Sequence, residues 1–204
     1  MRVSLPDRPG SLGAVATALG GIGADINTVE IVEKGAGVAV DDFILDLPPG
    51  RLPESIVTAC QALEGVKVEW ISRYPEGGGL QSDLEALERM TGDPDNAAET
   101  LVAASPVVFR SHWAVLLDTS LEPKMTFSTP LAPDFEAAGL AQFGPFDKTH
   151  LVDLEEGWLP RWGESCAVVA PLSHQRAIVI GRLGGPAFLD SELARLGHLA
   201  ALAN

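Results

Sequence analysis

One group of residues in the sequence has types and spacing suited to holding a ligand. Asp7-Arg8-Pro9-Gly10-Ser11-Leu12 joins a short alternating segment to an amphipathic one, so the amides of Gly10, Ser11 and Leu12 are expected to open a helix and lack internal acceptors. A carboxylate suits that place. The helix dipole favours an anion there, and Gly10, having no Cβ, lets a ligand approach the backbone. Asn27 lies near the start of the adjacent strand, where its amide can donate to a carboxylate and its carbonyl can accept from an ammonium. Asp7 offers the same ammonium a charged partner. Asp7, Gly10, Ser11, Leu12 and Asn27 would thus grip the α-amino and α-carboxyl groups of a free amino acid without reading its side chain. The competing reading is structural: Asp7 braces the turn, Pro9-Gly10 shapes it, and Asn27 satisfies local backbone.

Other reactive residue types are arranged less suggestively. His112, His150, His174 and His198 are scattered, with no pair at metal-binding spacing. Cys60 and Cys166 have no His or Cys at zinc-finger spacing and read as packing thiols. Glu164 precedes Ser165-Cys166 without an identifiable general base. The pairs Asp41-Asp42 and Glu155-Glu156 read as solvated surface, and Asp93-x-Asp95 lacks the rest of a calcium loop. Gly181-Arg182-Leu183-Gly184-Gly185 lacks the lysine of a P-loop and the spacing of a dinucleotide site, so a turn is expected. Neither a catalytic residue, a metal site nor a cofactor is expected.

The elements that must position the ligand group follow from periodicity. Val3 and Leu5 alternate with polar neighbours as a strand; Leu12, Val15, Leu19 and Ile22 share a helical face that glycines then end. Residues 26–33 and 38–47 read as strands joined by a hairpin at Lys34-Gly35-Ala36-Gly37. A second helix from Pro53 carries Ile56, Cys60 and Leu63, and Val66, Val68 and Trp70 mark a last strand. The order β-α-β-β-α-β predicts a ferredoxin-like antiparallel sheet with both helices on one face. Strand two has no plainly polar face, so something is expected to cover the open side.

Pro75-Glu76-Gly77-Gly78-Gly79 is the best boundary. The reading is a first domain over 1–76, a linker over 77–83 and a second domain over 84–204. In the second, Ser82-x-x-Glu85 has the form of a capping box, with Leu80, Leu84 and Leu87 at helical spacing. Residues 96–104 predict a short helix, and 113–117, 124–128, 167–172 and 177–180 predict strands. The final helix is expected to be capped by Asp190, with Leu193, Leu196, Leu199 or Ala200, and Ala203 as its apolar stripe. Prolines and phenylalanines alternate between Glu122 and Gly163, which reads as a long loop tacked onto the core.

Composition narrows the function classes. With 204 residues, 46% of them apolar, the chain can build one sizeable core or two small ones. Its 14 basic and 28 acidic residues give a net charge of -14, which disfavours nucleic acid and anionic membranes as partners. No apolar run is long enough to span a bilayer, and the N-terminus lacks the pattern of a secretion signal, so a cytoplasmic protein is expected.

Asp-Arg-Pro-Gly-Ser-Leu followed by Ala24-Asp25-Ile26-Asn27, inside a β-α-β-β-α-β unit, resembles the ACT domain, the regulatory module of many amino-acid biosynthetic enzymes. The resemblance covers residues 1–74. It implies amino-acid sensing in a homodimer whose sheets join edge to edge, with Gly10 and Leu12 as backbone contacts, Asn27 of the other copy as a side-chain contact, and Asp7 beside them. Residues 167–172, 176–185 and 188–196 resemble the closing strands and last helix of a GAF domain, a small-molecule sensor with an antiparallel sheet. The expected fold class is therefore α+β, a ferredoxin-like ACT domain followed by an α/β GAF-like domain. The expected function is non-enzymatic: binding a free amino acid at a dimer interface and coupling it to the second module or a metabolic enzyme partner. The alternatives are a small enzyme with its pocket under the 122–163 loop, and an accessory subunit that binds no ligand.

Overall fold

The computed structural model describes residues 1–72, 80–152, 154, 158 and 165–204. The chain is α+β, with a four-stranded and a five-stranded antiparallel sheet, and divides into two compact units, Met1–Tyr74 and Pro75–Asn204.

In the first unit β1 (Arg2–Pro6), α1 (Ser11–Gly21), β2 (Asp25–Gly35), β3 (Val38–Asp46), α2 (Glu54–Gln61) and β4 (Lys67–Trp70) follow in order. The sheet order is β2-β3-β1-β4. β3 lies between β1 and β2, which α1 connects, so the βαβ unit is split and β2 is left at an edge. The alternation of β1 puts Val3 and Leu5 on the helix side, where they pack with Ala39, Phe43, Val15, Leu19, Ile56 and Cys60. Burying each of the larger side chains contributes about 1.5–3 kcal/mol, and this face sets the register. The hairpin from β2 to β3 closes on Gly35 opposite Val38, with Ala36 and Gly37 at φ 50° and 79°. Two left-handed residues make a type I′ turn, whose twist matches that of the strands.

In the second unit α3 (Leu80–Gly92), a 3-10 turn (Pro94–Asn96) and α4 (Ala97–Val108) precede β5 (Trp113–Asp118) and β6 (Lys124–Ser128). Then come α5 (Ala137–Ala141), β7 (His150–Val152), β8 (Ser165–Leu172), β9 (Arg176–Leu183) and α6 (Asp190–Leu202). The sheet order is β6-β5-β9-β8-β7. One face, carrying Leu116, Val168, Ala170, Ile178 and Ile180, meets Met90 of α3, Leu101 and Val102 of α4 and Leu196 of α6. The opposite face, carrying Trp113, Val115, Leu117, Val169 and Val179, packs against Leu140, Phe143, Phe135, Phe146 and Trp158. The central strands are buried on both faces, which is why they read as unbroken apolar runs.

Several expectations need correction. The segment expected as linker, 77–83, is helical from Leu80 on, while 77–79 lies outside the described residues, as does the Pro75–Gly79 joint. Ser82 is therefore inside α3 and does not cap it. Ser82, Ala86 and Met90 form the buried face and Leu84 is exposed, so the stripe lies one side of where the leucines put it. The helix expected to stop at Ala104 runs to Val108 through Pro106: the buried stripe Leu101, Val102, Ser105 and Val108 continues past the proline, and tertiary burial outweighs its local preference. The expected long loop holds α5 and β7, and its aromatics supply the second core face. Gly181-Arg182-Leu183 are strand residues rather than turn. Asp190 is the first residue of α6, with Leu189 at the N-cap; Glu192 Oε2 accepts the Leu189 amide at 2.9 Å.

Candidate functional site

The turn after β1 lies at the end of the sheet that carries the β2–β3 hairpin, because the Asp7 amide donates to Gly37 O at 2.9 Å. Gly10 is the N-cap of α1 at φ 93°, a left-handed conformation that costs other residues strain. A Cβ there would meet nothing within 4 Å, so the space over this backbone is open. The Leu12 amide, at the second helical position, is one that a helix cannot pair internally. The Ser11 amide is not free as expected: it donates to Arg8 O at 3.3 Å, within the turn. Gly10, Leu12 and Asp7 are all exposed beside it.

Asp7 has a partner that periodicity did not suggest. Lys34 Nζ lies 2.8 Å from its Oδ1. Asn27 is elsewhere in the same copy. It is the residue left out of register between Ile26 and Thr28, near the start of β2, and its Nδ2 donates to Asp46 Oδ2 at 3.1 Å. The turn sits at the other end of the strand pair, about 20 Å away at 3.3 Å per residue. The first unit thus brings together Asp7, Gly10, Ser11 and Leu12, and does not bring Asn27 to them.

The acidic pair read as solvated surface is buried. Asp42, opposite Arg2 on the sheet face away from the helices, makes a bidentate pair with it at 3.1 and 2.8 Å. Asp41 is on the helix side, 2% exposed, and its Oδ1 has no hydrogen-bond partner among the described residues. Burial pushes its pKa up, and the Lys34 ammonium opposes that rise. Glu155 and Glu156 lie outside the described residues. An Asp-Asp dipeptide in a strand puts its two carboxylates on opposite faces, the signal that was available.

In the second unit the sheet face that Leu140 and Phe146 pack against is aromatic: Trp113, Phe135, Phe143 and Trp158 form a cluster whose neighbouring ring centroids lie 5.0–6.2 Å apart. The buried Arg182 is on the other face, held by Glu192 at 2.5 Å and by Phe109 O at 2.7 Å. Cys166 is half-buried and Cys60 buried; burial raises both thiol pKa values, which keeps them protonated. Among the described residues no three His, Cys, Asp or Glu side chains gather as a metal site, and no helix is long and apolar enough to cross a membrane.

No protein-family model matches the chain. A stretch of 86 residues is 33% identical to the NAD-dependent malic enzyme 1 of Bacillus subtilis (strain 168), covering 40% of this chain. The aligned stretch amounts to 20% of the length of that relative.

Proposed function

We propose that the first unit is an ACT-type module that binds a free amino acid between two copies of the chain, and that the protein is a regulator whose second, GAF-like unit receives the signal. The observation that carries this reading is the placement of the turn and Asn27 at opposite ends of a free edge strand. Among the described residues β2 is the outermost strand of its sheet, and Val29 and Ile31 are exposed on it. An unpaired strand edge of that length is a template for pairing with another chain. Antiparallel pairing of two β2 strands centred on Glu30 would set Asn27 of one copy opposite Glu33 of the other, next to Lys34 and the Asp7–Leu12 turn. The site would then be complete only in the pair.

In that arrangement the ligand carboxylate takes the Leu12 and Gly10 amides at the positive end of α1, with the carboxamide of Asn27 from the second copy. The ammonium takes Asp7, whose affinity for such a group is already expressed in its bond to Lys34. The stretch shared with the malic enzyme is one-fifth of that enzyme's length, the size of a module rather than of the whole catalyst.

Thermal shift of the full chain against the twenty amino acids at millimolar concentration, with light scattering for mass, tests the reading. One amino acid is expected to raise the transition of a dimer. Gly10→Asp, which adds a negative charge and a side chain where the carboxylate sits, should lower its affinity at least tenfold, from lost hydrogen bonds to a charged group of about 1.5–3 kcal/mol. No response to any amino acid would overturn it.

A further inference from the structure

We propose that Lys34 is a tethered competitor for the ammonium seat: it occupies Asp7 when the site is empty and passes to Asp41 when an amino acid enters. The inference rests on the amino-acid reading of the turn and adds its regulation. Lys34 pairs across the sheet with Ala39, and Asp41 is two residues further along β3 on the same face. Both carboxylates therefore lie within the sweep of one lysine side chain. The Lys34 and Asp7 side chains are 51% and 37% exposed, so solvent and ligand reach the pair. Asp41 is different in kind: it is buried, and one of its oxygens lacks any partner among the described residues.

An acid buried with an open acceptor position is costly unless a cation comes to it at some stage of the protein's cycle. The nearby cation is Lys34, whose pKa both Asp7 and Asp41 raise. In the structure the ammonium bonds Asp7 and leaves Asp41 Oδ1 without a partner among the described residues. The α-ammonium of an amino acid resolves this by taking Asp7, and the released lysine then meets the unsatisfied oxygen of Asp41. No bond is made or broken, and the total charge of the site changes only by that of the zwitterion, which is zero. The same logic sets ligand class: an α-hydroxy or α-keto acid brings no ammonium and cannot displace the lysine, so the site selects the amine.

The test uses the full-length protein and isothermal titration with each of the twenty amino acids, on wild type, Lys34→Met and Asp41→Asn. Lys34→Met removes the competitor, and affinity should rise about twofold to fivefold, the range for releasing one exposed pair. Asp41→Asn removes the second seat, and affinity should fall by a similar factor. Binding to Lys34→Met alone would be the strongest support. Binding to wild type that Lys34→Met leaves unchanged or weakens overturns the competitor while leaving amino-acid sensing intact. No binding to either protein overturns both.

A ligand-free measurement separates the parts. Lysines carrying 13C-methyl groups are titrated by NMR, with Lys34 identified by its absence from Lys34→Met. In Asp7→Asn the Lys34 pKa should stay above that in the Asp7→Asn/Asp41→Asn double variant, because the ammonium has moved to Asp41. Equal values in the two would show that the lysine never reaches the second acid, and would overturn the proposal.

Discussion

Asp41 shows how a single buried acid sets a pH dependence. Its pKa in the fold is raised above 3.8, chiefly by desolvation, so the folded state holds the proton more tightly than the unfolded chain does. The cost of the carboxylate is absent below the unfolded value and grows as pH rises through the folded one. Asp41→Asn should therefore raise the melting temperature at pH 7, and the gain should vanish as pH falls below 4; calorimetry across that range measures it. Gly181 makes a different point at the same scale. A Cβ on it would stand 2.1 Å from two carbons of the Trp113 ring, which is fully buried. Gly181→Ala should destabilise the second unit by about 3 kcal/mol or more, since neither the strand nor the indole has room to move. Denaturant unfolding followed by tryptophan emission reads this, and adding Trp113→Leu should recover part of the loss.

Among the elements, β2 is the exposed one. Its edge is long, and Ile31 stands 52% exposed on the helix-side face, directly across from Asp41. A lysine there places charge where a second copy would add its strand, the device by which natural edges resist pairing. If two copies pair through β2 as proposed, Ile31→Lys should leave a monomer by light scattering and lower the affinity for the proposed amino acid at least tenfold, with the first unit still folded. The same elements show what periodicity can and cannot reveal. The order β-α-β-β-α-β was legible, because Val3/Leu5, Val15/Leu19 and Ile56/Cys60 repeat at the strand and helix periods, and so was a hairpin at Lys34–Gly37, though not its turn type. The turn residues Asp7 to Leu12 were legible for the same reason, lying where one period gives way to the other. The Lys34–Asp7 pair was not, since it joins residues 27 positions apart across a hairpin whose register no local pattern states. Burial of Asp41 and Asp42 was hidden likewise: charge in a sequence reads as surface until the partner strands, here β1 with Arg2, are in place. The 122–163 segment failed for another reason. Prolines set its local preference as loop, while Phe135 and Phe143 obey a tertiary demand to cover the outer face of β5, β8 and β9.

At the scale of the molecule, two units with separate cores should unfold as two transitions, and their response to ligand tests whether one informs the other. Binding to the first unit at a hundred times the dissociation constant adds about 2.7 kcal/mol to its stability. For a unit of this length that moves its melting temperature by about 10 to 20 °C, large enough to read in a scan of the intact protein. The second transition carries the argument about coupling, because Trp113 belongs to that unit alone and its buried indole reports local order. If the ligand acts only where it binds, the second transition stays fixed while the first climbs past or towards it. A regulator that passes the signal on must change the free energy of its second unit as well, since coupling between sites is itself a free energy and typically amounts to about 1–3 kcal/mol. The expected outcome is that the second transition shifts by several degrees with the bound amino acid, in wild type but not in Gly10→Asp. A first transition that moves alone, over a full titration, would support amino-acid binding and overturn the proposed coupling to the second unit.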